Sequence, residues 1–92
     1  MTQTPRAHNF VKLGAVEIAV LRVLVERAGR VTGRDDLNRL AGLDGTQRRV
    51  DAALVPLRRR LGEGAIITIR RRGWLLHNDA ASAARALLDS VT

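Results

Sequence analysis

The amino-acid sequence predicts an α+β domain in which three helices enclose one core, a β-hairpin follows them, and an extra helix ends the chain. Three observations carry this expectation. Apolar residues recur at helical spacing in three stretches before residue 62. The period then becomes extended, with the β-branched run Ile66-Ile67-Thr68-Ile69 and a return at Trp74-Leu75-Leu76 after Arg-Arg-Arg-Gly. A last stretch, Asp79 to Ser90, is rich in alanine and leucine and is again helical in pattern. Ninety-two residues are enough for a single small core and too few for two.

Composition removes several function classes. The absence of cysteine excludes a disulfide framework and a thiolate metal site. Apolar runs are far shorter than a membrane span, and Met1 to Leu13 lacks the apolar centre of a signal peptide, so a cytoplasmic location with no membrane partner is expected. Two isolated histidines, no paired carboxylates at useful spacing and no phosphate-loop glycines leave no reacting constellation. No enzyme activity, cofactor or metal is expected. The net charge of +7 is the informative number, because eight arginines against three acids lie between Asp44 and Leu75. Such concentration in one third of the chain is an electrostatic footprint for a polyanion.

Taken in order, residues 1–9 have little to bury and contain Pro5, and they are expected to form a loose arm. Phe10 to Leu13 alternates and predicts one short strand, with the lone phenylalanine as a core plug. Over Ala15 to Ala28, Ile18, Leu21, Val25 and Ala28 share one face, with Val20 and Leu24 beside them. Glu17 sits in the first turn, where its carboxylate meets free N–H groups and the positive end of the dipole. Gly29 is expected to close this helix.

Thr32 or Gly33 is expected to cap a second, shorter helix whose inner face is Leu37, Leu40 and Ala41 and which Gly42 ends. Arg34 stands at its start, as a surface charge beside Asp35 and Asp36 or as a phosphate clamp next to free N–H groups. A short connection, Leu43-Asp44-Gly45, leads to Thr46 as the cap of a third helix reaching Leu61. Val50, Leu54, Leu57 and Leu61, with Ala53, form its inner stripe. Its other faces carry Arg48, Arg49, Ala52, Val55, Arg58, Arg59 and Arg60 against the single acid Asp51. A merely solvated face mixes both signs in i,i+4 pairs, so this helix is expected to meet something anionic. Pro56 removes one backbone bond and is expected to kink or strain the helix, at about 3 kcal/mol in an ordinary interior.

Two helices joined by so short a turn, the second bearing the basic face, have the layout of a helix-turn-helix. In the hairpin, Arg70, Arg71 and Arg72 lie at or near the tip, where adjacent positive charges repel one another unless a partner offsets them. Trp74 is expected to seat the hairpin on the helices rather than to stack on bases. Ala80, Ala84, Leu87, Leu88 and Val91 are available for burial in the final helix, on its own domain or, as the favoured reading, on a partner.

Four segments in register, Leu13-Gly-Ala-Val-Glu-Ile-Ala-Val-Leu, Gly29-Arg-Val-Thr-Gly-Arg-Asp-Asp-Leu, Arg48-Arg-Val-Asp through Leu61, and Ile67-Thr-Ile-Arg-Arg-Arg-Gly-Trp-Leu-Leu, resemble the winged-helix domain of the OmpR/PhoB family of bacterial transcription regulators. They span Leu13 to His77, about two thirds of the chain. The resemblance implies a winged helix-turn-helix over residues 10–77, followed by a helical tail over 78–92. It implies double-stranded DNA as partner, the helix over 46–61 in the major groove and the hairpin over 66–76 at the minor groove. Arg48, Arg49, Arg58 and Arg59 then position or read the major-groove side, Thr68 and Arg70 hold the backbone, and Arg71 and Arg72 enter the minor groove. Ala52 and Val55 suit thymine methyl groups. Arg71 stands where the family has a wing glycine, which shifts weight towards charge at the tip. A homodimer, through the last helix or on tandem half-sites, and a polymerase contact are further expectations. No receiver domain precedes the four segments, so the chain reads as an excised domain or as a free-standing regulator outside control by aspartyl phosphorylation. The competing reading is a protein-interaction module that grips polymerase, another regulator or a second copy through Ala52, Val55, Pro56 and the last helix.

Overall fold

A computed structural model describes residues 13–43 and 47–91, without the side chains of Gln47 and Arg48. The expected arm over 1–9, the strand from Phe10, the Asp44-Gly45 turn and the Thr46 cap lie outside the described residues. The described elements are α1 (Ala15–Glu26), α2 (Arg34–Leu40), α3 (Gln47–Leu61), β1 (Ile66–Ile69), β2 (Gly73–Leu76) and α4 (Ala81–Val91), with a 3-10 turn at Asn78–Ala80 before α4.

Helix α1 starts as expected: the Gly14 N–H donates to Glu17 Oε1 at 2.6 Å, giving one otherwise unpaired donor of the helix start an acceptor. It ends earlier than expected, at Glu26 with Arg27 as the cap residue. Gly29, at φ 82°, serves a different purpose. Its left-handed backbone turns the chain so that its N–H reaches Leu76 O at 2.8 Å, beside the hairpin.

Thr32 does not cap α2; Gly33 does. Thr32 is 1% exposed and forms an isolated antiparallel bridge with Trp74. Its N–H donates to Trp74 O at 2.8 Å, its carbonyl accepts from Trp74 N at 3.0 Å, and its hydroxyl accepts from Arg27 Nε at 2.9 Å. A buried threonine with all these groups paired behaves as one residue of a third strand. Two bonds then stop α2: the N–H of Leu43 donates to Asn38 O at 2.8 Å and that of Gly42, at φ 72°, to Arg39 O at 3.1 Å. This is a Schellman closure, and Gly42 holds the expected position in it. Leu40, expected on the inner face, is instead 45% exposed, since a seven-residue helix turns it away from the core that Leu37 enters.

Helix α3 runs unbroken through Pro56. The proline withdraws the donor that would serve the Ala52 carbonyl, and Ala52 lies on the exposed face of the helix. Val50, Ala53, Leu54 and Leu57 are buried, as their spacing requires, and Leu61 packs partly against the same core.

Strands β1 and β2 pair antiparallel with Ile66 opposite Leu76 and Ile69 opposite Gly73. Ile66, Trp74 and Leu76 enter the core with Val20, Leu21 and Leu24 of α1, Leu37 of α2 and the α3 stripe. Each fully buried leucine or isoleucine contributes about 1.5–3 kcal/mol, so this cluster outweighs any one surface ion pair.

The last helix corrects the expectation of a partner contact. Ala84 and Leu87 of α4 are buried in the chain's own core, and Leu88 and Val91 pack against it from the rim. Helix α4 lies on α1. His77 caps the turn before it, its Nδ1 accepting from the Asp79 N–H at 3.0 Å.

Candidate nucleic-acid interface

Burial of one α3 stripe leaves the opposite face open. Arg49, Ala52, Val55 and Arg59 are exposed there, Val55 at 52%. Arg58 and Arg60 are half-buried at its edges, and the Arg48 side chain lies outside the described residues. The open face is therefore basic with an apolar centre.

The hairpin tip is built by a tight turn. The Arg72 N–H donates to Ile69 O at 2.9 Å, and Arg71 occupies the third turn position at φ 64°. Glycine or asparagine ordinarily sits there, because a Cβ is strained in the left-handed region. Arg70, Arg71 and Arg72 are all exposed. Gly73 follows at φ 137°, and a Cβ on it would collide with the Thr32 carbonyl. The arginines are thus presented by a turn whose base is pressed against the α1–α2 connection.

Two side-chain contacts tie this tip to the helices. Arg58 Nη2 of α3 donates to Thr68 Oγ1 of β1 at 2.8 Å and reaches Ile66 O at 3.4 Å. Arg34 Nη2 of α2 donates to both carboxylate oxygens of Asp51 on α3, at 2.9 and 3.1 Å. Its guanidinium lies over the Trp74 ring, 5.1 Å from the centroid. Arg34 therefore pairs neither with Asp35 nor with Asp36, and Asp36 pairs with Arg39 at 3.0 Å. Trp74 is 7% exposed and seats the hairpin, as expected, and Arg34 covers it.

Of the anticipated residues, Arg34, Arg58 and Thr68 are engaged inside the fold. By contrast Arg49, Arg59, Arg70, Arg71 and Arg72 make no side-chain ion pair or hydrogen bond among the described residues. Between the two groups runs a cleft of about 250 Å³ lined by Arg34, Thr68, Arg71, Arg72 and Trp74. The role of Asp51 was not anticipated. Its signal was in the sequence: one acid on a helix otherwise carrying five arginines needs a cation from elsewhere. Among the described residues no group of three or more His, Asp or Glu side chains could hold a metal, and no helix is long and apolar enough to cross a membrane.

Three helices with a short antiparallel hairpin, whose basic turn stands beside a helix with a basic open face, define a winged-helix domain. The family model described as "Transcriptional regulatory protein, C terminal" matches residues 8–76, and the chain belongs to that family, the OmpR/PhoB-type effector domains. No curated protein and no solved structure gives a match. Membership makes this a DNA-binding domain of a transcription regulator; the family is not typically enzymatic.

Proposed function

We propose that this domain binds double-stranded DNA in a sequence-specific manner, with α3 in the major groove and the β1–β2 hairpin at the adjacent minor groove. The observation that carries this is the set of exposed arginines that have no side-chain partner among the described residues, Arg49 and Arg59 on α3 and Arg70 to Arg72 on the turn. Phosphates offset such charges and release condensed counterions in doing so. Arg48, in the first turn of α3, adds a further positive charge to that helix. Arg59 and Arg49 position the helix on the backbone, and Ala52 and Val55 meet thymine methyl groups between them. Thr68 Oγ1 accepts from Arg58, which leaves its own proton for a phosphate oxygen. Arg70 joins it at the backbone, and Arg71 and Arg72 enter the minor groove. Such a regulator works in the cytoplasm, beside the chromosome.

A fluorescence titration of a duplex selected from a random pool, at several salt concentrations, tests the reading. With about six phosphates neutralised, log K against log salt slopes near −5. Affinity independent of salt overturns the proposal. A second reading, a protein-interaction surface on α3, draws on the exposure of Val55 and Ala52. It predicts that Arg71→Ala with Arg72→Ala leaves the main activity untouched, where DNA binding predicts a large loss.

A further inference from the structure

We infer that Arg34 and Asp51 form a positioning strut that sets the angle between α3 and the hairpin, and that neither residue serves as a DNA contact. The inference rests on the DNA-binding reading above and names a residue pair that acts through the contacts proposed there.

Asp51 is the only acid of α3. An uncompensated carboxylate on a helix facing phosphates opposes binding. Here it is not uncompensated, since one nitrogen of Arg34 holds both of its oxygens within 3.1 Å. The same guanidinium covers Trp74 at a distance typical of a cation over an aromatic face. Trp74 in turn is bonded in both directions to the backbone of Thr32, two residues before Arg34. Arg34 therefore touches α3 and the hairpin at once, from a root fixed to the hairpin. Its Nε is enclosed and has no partner among the described residues, so no phosphate reaches that atom. The Arg34 side chain keeps 40% of its surface, but its Nη2 is committed to Asp51 and its plane lies over the Trp74 ring.

The consequence is one of geometry. A reader with two contact sets on one duplex binds the second set at an effective concentration fixed by the stiffness of the link between them. Loosening the link lowers affinity for the site whose groove spacing matches, and leaves loosely held, non-specific binding nearly unchanged.

The test uses the full chain, a duplex enriched by it from a random pool, and a shuffled duplex of equal length. Asp51→Asn removes a negative charge, so electrostatics alone predicts tighter binding to both duplexes. The strut predicts the opposite sign on the enriched duplex: a loss of about threefold to fivefold, as for a solvent-accessible pair, with shuffled binding unchanged or tighter. Arg34→Ala gives a similar loss with the salt slope unchanged, and Arg34→Lys, which lacks the planar guanidinium that lies over Trp74, behaves like it. The double variant loses no more than either single one. Trp74, the only tryptophan, shifts its emission in the Arg34 variants. Equal tightening on both duplexes in Asp51→Asn, or a salt slope reduced by about one in Arg34→Ala, overturns the strut. Asp51→Asn, at an exposed side chain, keeps the test decisive where Arg34→Ala fails to fold. A wild-type chain that binds neither duplex overturns the DNA-binding reading itself and the strut with it.

Discussion

Arg58 Nη2 meets Thr68 Oγ1 at 2.8 Å, so the helix proposed to read the major groove is latched directly to the first strand of the hairpin. Arg58 is half-buried, and the bond is charge-assisted. Thr68→Val keeps the shape and removes both the acceptor and the hydroxyl proton. Its partial exposure limits the stability cost to about 0.5–1 kcal/mol. Duplex affinity is expected to fall further than stability, and Thr68→Ser to restore it. Binding isotherms beside urea melts check this, and a Thr68→Val chain that binds like wild type removes the latch from the account.

Arg71 shows stability and function pulling apart. At φ 64° its side chain is strained by about 1 kcal/mol, a position glycine occupies freely. Arg71→Gly is expected to leave stability equal or raise it by up to about 1 kcal/mol, and to lower the magnitude of the salt slope by about 0.9. Thermal melts give the first number and titrations the second. A destabilised Arg71→Gly chain contradicts the strain argument.

Gly73→Ala should be strongly destabilising although it adds only one methyl group. The new methyl group meets the Thr32 carbonyl, and φ 137° is unfavourable for any residue with a Cβ. Both effects break the Thr32–Trp74 bridge, for an expected loss of about 3 kcal/mol or more. In a domain of this size each kcal/mol lowers the melting temperature by about 4–8 °C. A calorimetric scan within about 5 °C of wild type is incompatible with this packing.

Pro56→Ala restores the missing donor to the Ala52 carbonyl inside α3. Helix propensity favours alanine by about 3 kcal/mol, and loss of the proline's constraint on the unfolded chain offsets up to about 1 kcal/mol. A net gain of about 2 kcal/mol is expected, read as a higher urea midpoint. An unchanged midpoint means that water on the exposed face already satisfies the carbonyl.

What the amino-acid sequence determined by itself was the identity and order of the elements. The α1 and α3 stripes, the Gly42 closure and the change of period after Leu61 are properties of neighbouring residues, so they are legible without a chain path. The basic faces were legible for the same reason, as Arg49 and Arg59 are placed by helical repeat and Arg70 to Arg72 by a turn. Tertiary structure alone decided which charges remain open. Arg34 and Asp51 are 17 positions apart and Arg58 and Thr68 are 10 apart, and their pairing depends on how α2 and the hairpin cross α3. It also decided that Thr32 bridges a strand where its sequence signal was a cap, that Gly73 must lack a Cβ, and that α4 covers its own α1. Each of these is a short-range contact between segments distant along the chain, where spacing carries no information and only packing does.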